Sequence, residues 1–187
     1  MKKTIIILLV VVLVLVGLWY LGSTRNQKVS TQQTLQNVKS NLMTISSPNF
    51  APGEKIAIKN SCNGANVNPV LEISGVPEKA LTLALIMDDP DAPNGTWTHW
   101  ILWNIDPKTT HINENSVPIN AVAGVGSNGK NTYSGPCPPS GTHRYFFRLY
   151  ALNATTSLPN TTKVDGLRSA MQGHVIAEAE LMGTYSK

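Results

Sequence analysis

The sequence predicts a mainly β domain, a sandwich of short strands with one or two peripheral helices, preceded by an N-terminal transmembrane helix. Three observations carry this reading. Short apolar or alternating segments recur between clusters of Gly, Pro and Asn, which is the pattern of strands and turns. A single late segment, 163–172, has a clear helical signature. The first 22 residues are almost wholly apolar and stand apart from the rest.

The leader divides the chain into three parts: an anchor over 1–22, a linker over 23–40 and a domain over 41–187. Lys2 and Lys3 precede Ile5–Leu21, a run of 17 uncharged residues. As a helix this run spans roughly 26 Å, close to a hydrocarbon core of about 30 Å. No A-x-A cleavage site follows, so an uncleaved anchor is favoured over a cleaved signal peptide. Trp19 and Tyr20 would lie at the far interface, and the two lysines would stay in the cytoplasm, placing the domain outside it. Residues 23–40 are polar, rich in Gln and Thr, and read as a flexible tether.

Charge narrows the function. Of 15 basic residues, four lie before residue 29, and the remaining 11 balance the 11 acidic ones. The domain is therefore neutral, which argues against nucleic-acid binding. There is no internal repeat and no nucleotide-binding glycine fingerprint.

The elements follow in order. Leu42–Ser46 is a short strand. Lys55–Lys59 alternates and reads as a half-buried strand. Ser61–Pro69 is a turn-rich loop carrying Cys62, and Val70–Ile73 is strand-like. Leu81–Met87 is an apolar run of buried-strand length that feeds into Asp88. Asp89-Pro90-Asp91-Ala92-Pro93 is a proline-stiffened acidic loop, Asn94-Gly95 turns the chain, and Thr96–Ile105 is an apolar strand containing His99. Residues 106–134 are mostly loop. Gly135–Gly141 holds Pro136, Pro138 and Pro139, so it is neither helix nor interior strand. It is a stiff loop whose glycines allow close backbone approach to a ligand. His143–Leu152 alternates as a strand, with His143 and Tyr145 on one face and Arg144 on the other. Lys163–Gln172 is a helix with Thr162 at its N-cap. Residues 175–185 are ambiguous: their Ala and Glu favour helix, whereas Ala177 to Leu181 alternates.

The chemistry gathers at the two stiff loops. Asp89 and Asp91 can accept an imidazole N–H, fix its tautomer and raise its pKa. The Gly135 N–H is expected to be free, and the Tyr145 hydroxyl adds a second donor. Converging on one spot, these groups suit a small oxyanion. Arg144, on the opposite face, is expected to pair with a carboxylate. Read singly, His99 and His143 would each be packed strand residues. Two Asp and two His can also make a metal site, but neither an H-E-x-x-H motif nor a nucleophile elbow is present. Hydrolysis by metal or acid–base chemistry is therefore the weaker alternative, and no cofactor is expected. Cys62 and Cys137 either pair, as extracytoplasmic cysteines commonly do, or remain two buried thiols. Asn94, Asn153 and Asn160 fit the glycosylation pattern.

Asp89-Pro90-Asp91-Ala92-Pro93, Trp97 with His99-Trp100, and Gly135-Pro136 followed by His143-Arg144-Tyr145 closely resemble the phosphatidylethanolamine-binding protein family. This family is also called Raf kinase inhibitor-like, and the likeness is nearest to its bacterial and archaeal YbhB/YbcL branch. It extends from about Asn41 to Tyr185. It implies a sandwich whose last segment, 175–185, returns as a strand. It also implies a small pocket for phosphate-like, phosphoethanolamine-like or carboxylate groups, lined by Asp89, His99, Gly135, His143 and Tyr145 and shaped by Asp91, Trp97 and Pro136. A cis bond at Ala92-Pro93 is implied as well. Ile73 departs from the tryptophan common in the branch, which leaves ligand size open. Relatives that inhibit kinases or proteases suggest a protein partner. An exported domain would not meet a cytoplasmic kinase, so only the protease-inhibitor-like alternative is kept.

Overall fold

A computed structural model describes residues 42–187 and, in the leader, Trp19 alone. The anchor and linker readings lie outside the described residues. Among the described residues no helix is long and apolar enough to cross a membrane.

The domain has eight strands: β1 (Thr44–Ser46), β2 (Leu71–Ser74), β3 (Thr82–Asp89), β4 (Trp97–Ile105), β5 (His111–Ile112), β6 (Val122–Ala123), β7 (Thr142–Leu152) and β8 (Val175–Ser186). They form a three-stranded sheet, β1-β2-β5, and a five-stranded sheet, β6-β4-β3-β7-β8. All the pairings between these strands are antiparallel. One helix, α1 (Val164–Met171), packs against the larger sheet through Leu167 and Met171.

The strand β3 shows why the fold has this form. All eight of its residues are buried, and they divide by alternation. Leu83, Leu85 and Met87 enter the main core between the sheets, with Trp100, Leu102, Phe147 and Leu149. Ala84 and Ile86 enter a second core beneath α1, with Ile101, Trp103 and Leu167. A central strand covered on both faces needs such a continuous apolar run. Burying a single Leu or Ile of this kind is worth roughly 1.5–3 kcal/mol.

Three local expectations are corrected. Lys55–Lys59 is not a strand: Lys55 makes an isolated bridge to Thr184, and the chain then tightens into a 3-10 turn over Ile58–Asn60. Alternation here reflects the single buried residue Ile56, whose N–H bonds the Thr184 carbonyl, rather than a ladder. The residue capping α1 is Lys163, with no side-chain cap, not Thr162. No cis peptide bond occurs among the described residues, Ala92-Pro93 included. The ambiguous last segment is a strand, β8, paired with β7 from Val175 to Ser186. Its Ala–Glu alternation, set against the alternation of β7, outweighs helix propensity.

Candidate functional site

The sequence places His143 and Tyr145 on the core-facing side of β7, and the structure keeps them there, both buried. Asp89, at the end of β3, lies beside them. The His143 Nδ1–H donates to Asp89 Oδ2 at 2.8 Å, which holds the ring in one tautomer and leaves Nε2 free to meet a ligand. The other Asp89 oxygen accepts the Asp91 N–H at 2.8 Å.

His99 arrives by a route that simple alternation does not give. In the β3–β4 register Met87 pairs with Trp100 and Asp88 with Thr98, so His99 is an extra, unpaired residue. Such a bulge re-aims a side chain. It turns the His99 ring edge-on to Tyr145, with centroids 5.2 Å apart. His143 lies beside the same phenol, its ring 6.5 Å away and stacked. Both imidazoles therefore neighbour one tyrosine. The His99 Nδ1–H donates to the Ser134 carbonyl at 2.6 Å. Burial lowers its pKa, against the smaller opposing effects of that hydrogen bond and of Asp89. His99 is thus a neutral ring offering an Nε2 lone pair, and the expected upward shift is not found for it: desolvation of the ring outweighs the attraction of the carboxylates.

Tyr145 is completely buried, and its hydroxyl lies near the Asp89 carboxylate and the Cys137 backbone without forming a hydrogen bond of good geometry to either. Burial, and then the negative charge of Asp89, raise its pKa. The phenol accordingly stays protonated and available as a donor. Asp91 does not touch an imidazole. It forms a two-pronged pair with Arg144, with Nη2 to Oδ1 at 2.6 Å and Nε to Oδ2 at 2.9 Å, and accepts the Arg144 N–H as well. This pairing holds the Asp91 carboxyl at about 2, well below its ordinary value. Arg144 thus finds its carboxylate, as the sequence suggested.

The Gly135–Gly141 loop forms the wall, but in a different way from that expected. The Gly135 N–H is not free; it donates to Asn66 Oδ1 at 2.7 Å. A Cβ at Gly135 would lie 2.4 Å from the Asn60 carbonyl oxygen and 2.8 Å from Ser61 Cα. The glycine therefore serves contact between two backbones rather than access for a ligand. Pro136 is buried, and its carbonyl accepts the Cys62 N–H at 3.1 Å. Cys62 and Cys137 are bridged, with Cα atoms 5.5 Å apart. Trp97 lies at the rim, 41% exposed.

Tyr185, which the sequence reading did not single out, sits opposite His143 on β8. Its hydroxyl accepts from Ser61 Oγ at 2.8 Å and meets Asn63 Oδ1 at 3.1 Å. The only sequence signal for it was the register of the last strand. Asp89, His99, His143 and Tyr145, the members of this nest, line none of the five larger clefts among the described residues. Among those residues, too, no group of three or more His, Cys, Asp or Glu is arranged to hold a metal ion.

A mainly β sandwich with two proline-braced loops meeting near Tyr145, His99 and His143 defines the fold class. Residues 46–186 match the family model for phosphatidylethanolamine-binding protein, and the chain belongs to that family. It is 46% identical over 151 residues to a UPF0098 protein of Methanothermobacter thermautotrophicus, covering 78% of this chain and 99% of that one. It is 44% identical over 150 residues to a UPF0098 protein of Chlamydia pneumoniae, again covering 78% and 99%. Among solved structures it is similar to CT736 of Chlamydia trachomatis, described as a homolog of phosphatidylethanolamine-binding protein. That match has a TM-score of 0.76 and 42% identity, over 79% of this chain and 99% of the other. It is also similar to YbcL of E. coli, described as a member of the mammalian family, with a TM-score of 0.74 and 28% identity, over 78% and 98%.

Proposed function

We propose that this protein is a membrane-tethered, extracytoplasmic binding protein whose nest takes the oxyanion of a phosphate-like or carboxylate headgroup. The observation that supports the reading is the Tyr145 hydroxyl, buried and protonated beside two imidazoles and without a well-formed hydrogen bond to its neighbours Asp89 and Cys137. A buried orphan donor calls for a ligand or water atom. An oxyanion carrying one proton fits best: it accepts from Tyr145 and donates to the neutral Nε2 of His99. The names of the relatives suggest phosphoethanolamine as the first headgroup to try. The tether rests on the apolar leader.

The reading is of binding rather than turnover. Asp89 is spent on His143 and the Asp91 amide, and His99 on the Ser134 carbonyl. No cationic side chain reaches into the nest, since Arg144 is spent on Asp91 outside it. A single neutral donor, the Tyr145 hydroxyl, holds an anion less tightly than an arginine fork, so a modest affinity is expected.

Calorimetric titration of the full-length protein with phosphate, phosphoethanolamine and acetate tests this. Tyr145→Phe removes only the hydroxyl and is expected to weaken binding roughly tenfold, the loss of one hydrogen bond to a charged group. Equal binding by Tyr145→Phe and the native protein would refute the reading.

A further inference from the structure

We propose that the cleft between α1 and the outer face of the five-stranded sheet is a second binding site, built for an oxyanion carried on a small apolar body. It is independent of the Tyr145 nest. Neighbouring carboxylates on β3 point to opposite faces. Asp89 serves the nest, whereas Asp88, only 1% exposed, faces α1. There Asp88 receives two guanidinium groups, Arg148 from β7 and Arg168 from α1.

The two arginines are held differently. Arg148 is fixed on three sides: by Asp88, by Glu180 at 3.0 Å through Nε, and by the Phe146 ring 4.6 Å below its guanidinium carbon. Arg168 is held by one contact, Nη2 to Asp88 at 3.2 Å, and its side chain is half exposed. A guanidinium has five N–H groups, so most of those on Arg168 have no acceptor among the described residues. The buried carboxylate thus orients one rigid fork and one adjustable fork toward the same space.

That space is a cleft of about 650 Å³. Its volume falls within the roughly 300–1,000 Å³ of small-molecule sites. Ser169 and Gln172 add polar groups to its wall, and Met171 and Val175 add apolar ones. Two guanidinium groups meet two carboxylates here, Asp88 and Glu180, so what the cleft offers an entering anion is the set of unused N–H groups on Arg168 rather than a net charge. Arginine forks match the geometry of carboxylate and phosphate, and the apolar wall favours a ligand with a hydrocarbon or aromatic body.

The test is an NMR titration of the ¹⁵N-labelled full-length chain with phenyl phosphate and, separately, with benzoate. Saturable shifts at the amides of Ser169, Gln172 and Gly173 are expected, and the probe that produces them identifies the anionic group. Arg168→Gln should raise the midpoint about tenfold, while Tyr145→Phe should leave it unchanged. Arg168→Lys retains a charge for Asp88 but loses the fork, so a several-fold weakening is expected there even if the glutamine variant fails to fold. The proposal is overturned if neither probe moves these amides, if shifts appear only around His143 and Tyr145, or if Arg168→Lys binds as the native chain does.

Discussion

The bridge between Cys62 and Cys137 permits the most direct test of how the nest is built. It joins residues 75 apart in sequence, tying the 61–69 loop to the 135–141 loop. Cross-linking a loop of that length removes chain entropy from the unfolded state worth roughly 4 kcal/mol at 25 °C. For a domain of this size that corresponds to about 10 °C in Tm. The double replacement Cys62→Ala/Cys137→Ala should therefore lower the free energy of unfolding by about this amount and raise the m value, because the released chain exposes more surface when unfolded. The loop should remain near its place, because Gly135, Pro136 and Ser134 keep separate hydrogen bonds to Asn66, Cys62 and His99. Oxyanion binding should accordingly weaken less than stability does. Equilibrium urea unfolding of the native protein, with and without reductant, is the assay. A midpoint unaffected by reductant would refute the reasoning, either because the cysteines are not bridged or because the unfolded chain gains nothing from release.

The remaining predictions concern the same wall and its charges. Gly135→Ala places a methyl against backbone atoms of Asn60 and Ser61, so a loss of roughly 1–3 kcal/mol is expected in thermal melts, together with loss of headgroup binding in titrations. The pKa of His99 is lowered in the folded state. The unfolded chain therefore takes up a proton first, and the contribution of this residue to stability is complete above its ordinary value of 6.5 and declines as pH falls below it. His99→Gln should flatten that decline in melts recorded from pH 7 to pH 5, and an unchanged slope would count against a buried neutral ring. Asp91 has its carboxyl lowered from 3.8 to about 2, so its contribution is present above the unfolded value and is lost as pH falls from about 4 to 2. The pair is solvent-screened, so Asp91→Asn should alter acid unfolding only modestly, as monitored by circular dichroism across that window.

Much of this molecule was legible in the sequence where a residue's role follows from period and side-chain type. The run Leu81–Met87 could only be a strand covered on both faces, and the alternation of β7 put His143 and Tyr145 together without any structure. The pairing of Arg144 with a carboxylate followed from the same alternation. What could not be read were facts about long-range registers. The pairing of Met87 with Trp100 and Asp88 with Thr98 makes His99 a bulge residue, and nothing local to Thr98-His99-Trp100 signals it. The acceptor of the Gly135 N–H is Asn66, 69 residues away. A glycine in a proline-rich loop looks the same in sequence whether a ligand or another backbone approaches it. Lys55–Lys59 misled for the opposite reason: five alternating residues suffice for the pattern but not for a ladder.

The bulge and the carboxylate pair together explain why the candidate site sits where β3 and β4 end. Regular alternation on β4 would send His99 to the same face as Ile101 and Trp103, under α1. The extra residue reverses that assignment for His99 and leaves Trp100 to Trp103 alternating between the two cores, until a second irregularity opposite Leu83–Leu85 turns Ile105 into the main core. On β3 no such device is needed, because Asp88 and Asp89 reach opposite faces by being consecutive. Each carboxylate then organises cationic or imidazole groups supplied mainly by β7: Arg148 on the outer face and His143 on the inner. The sheet thus meets two separately tunable polar clusters at one end while its middle stays wholly apolar. Substitutions at Asp88 should therefore act on α1 and the outer cleft, and substitutions at Asp89 on His143 and the nest, although the two residues share a peptide bond.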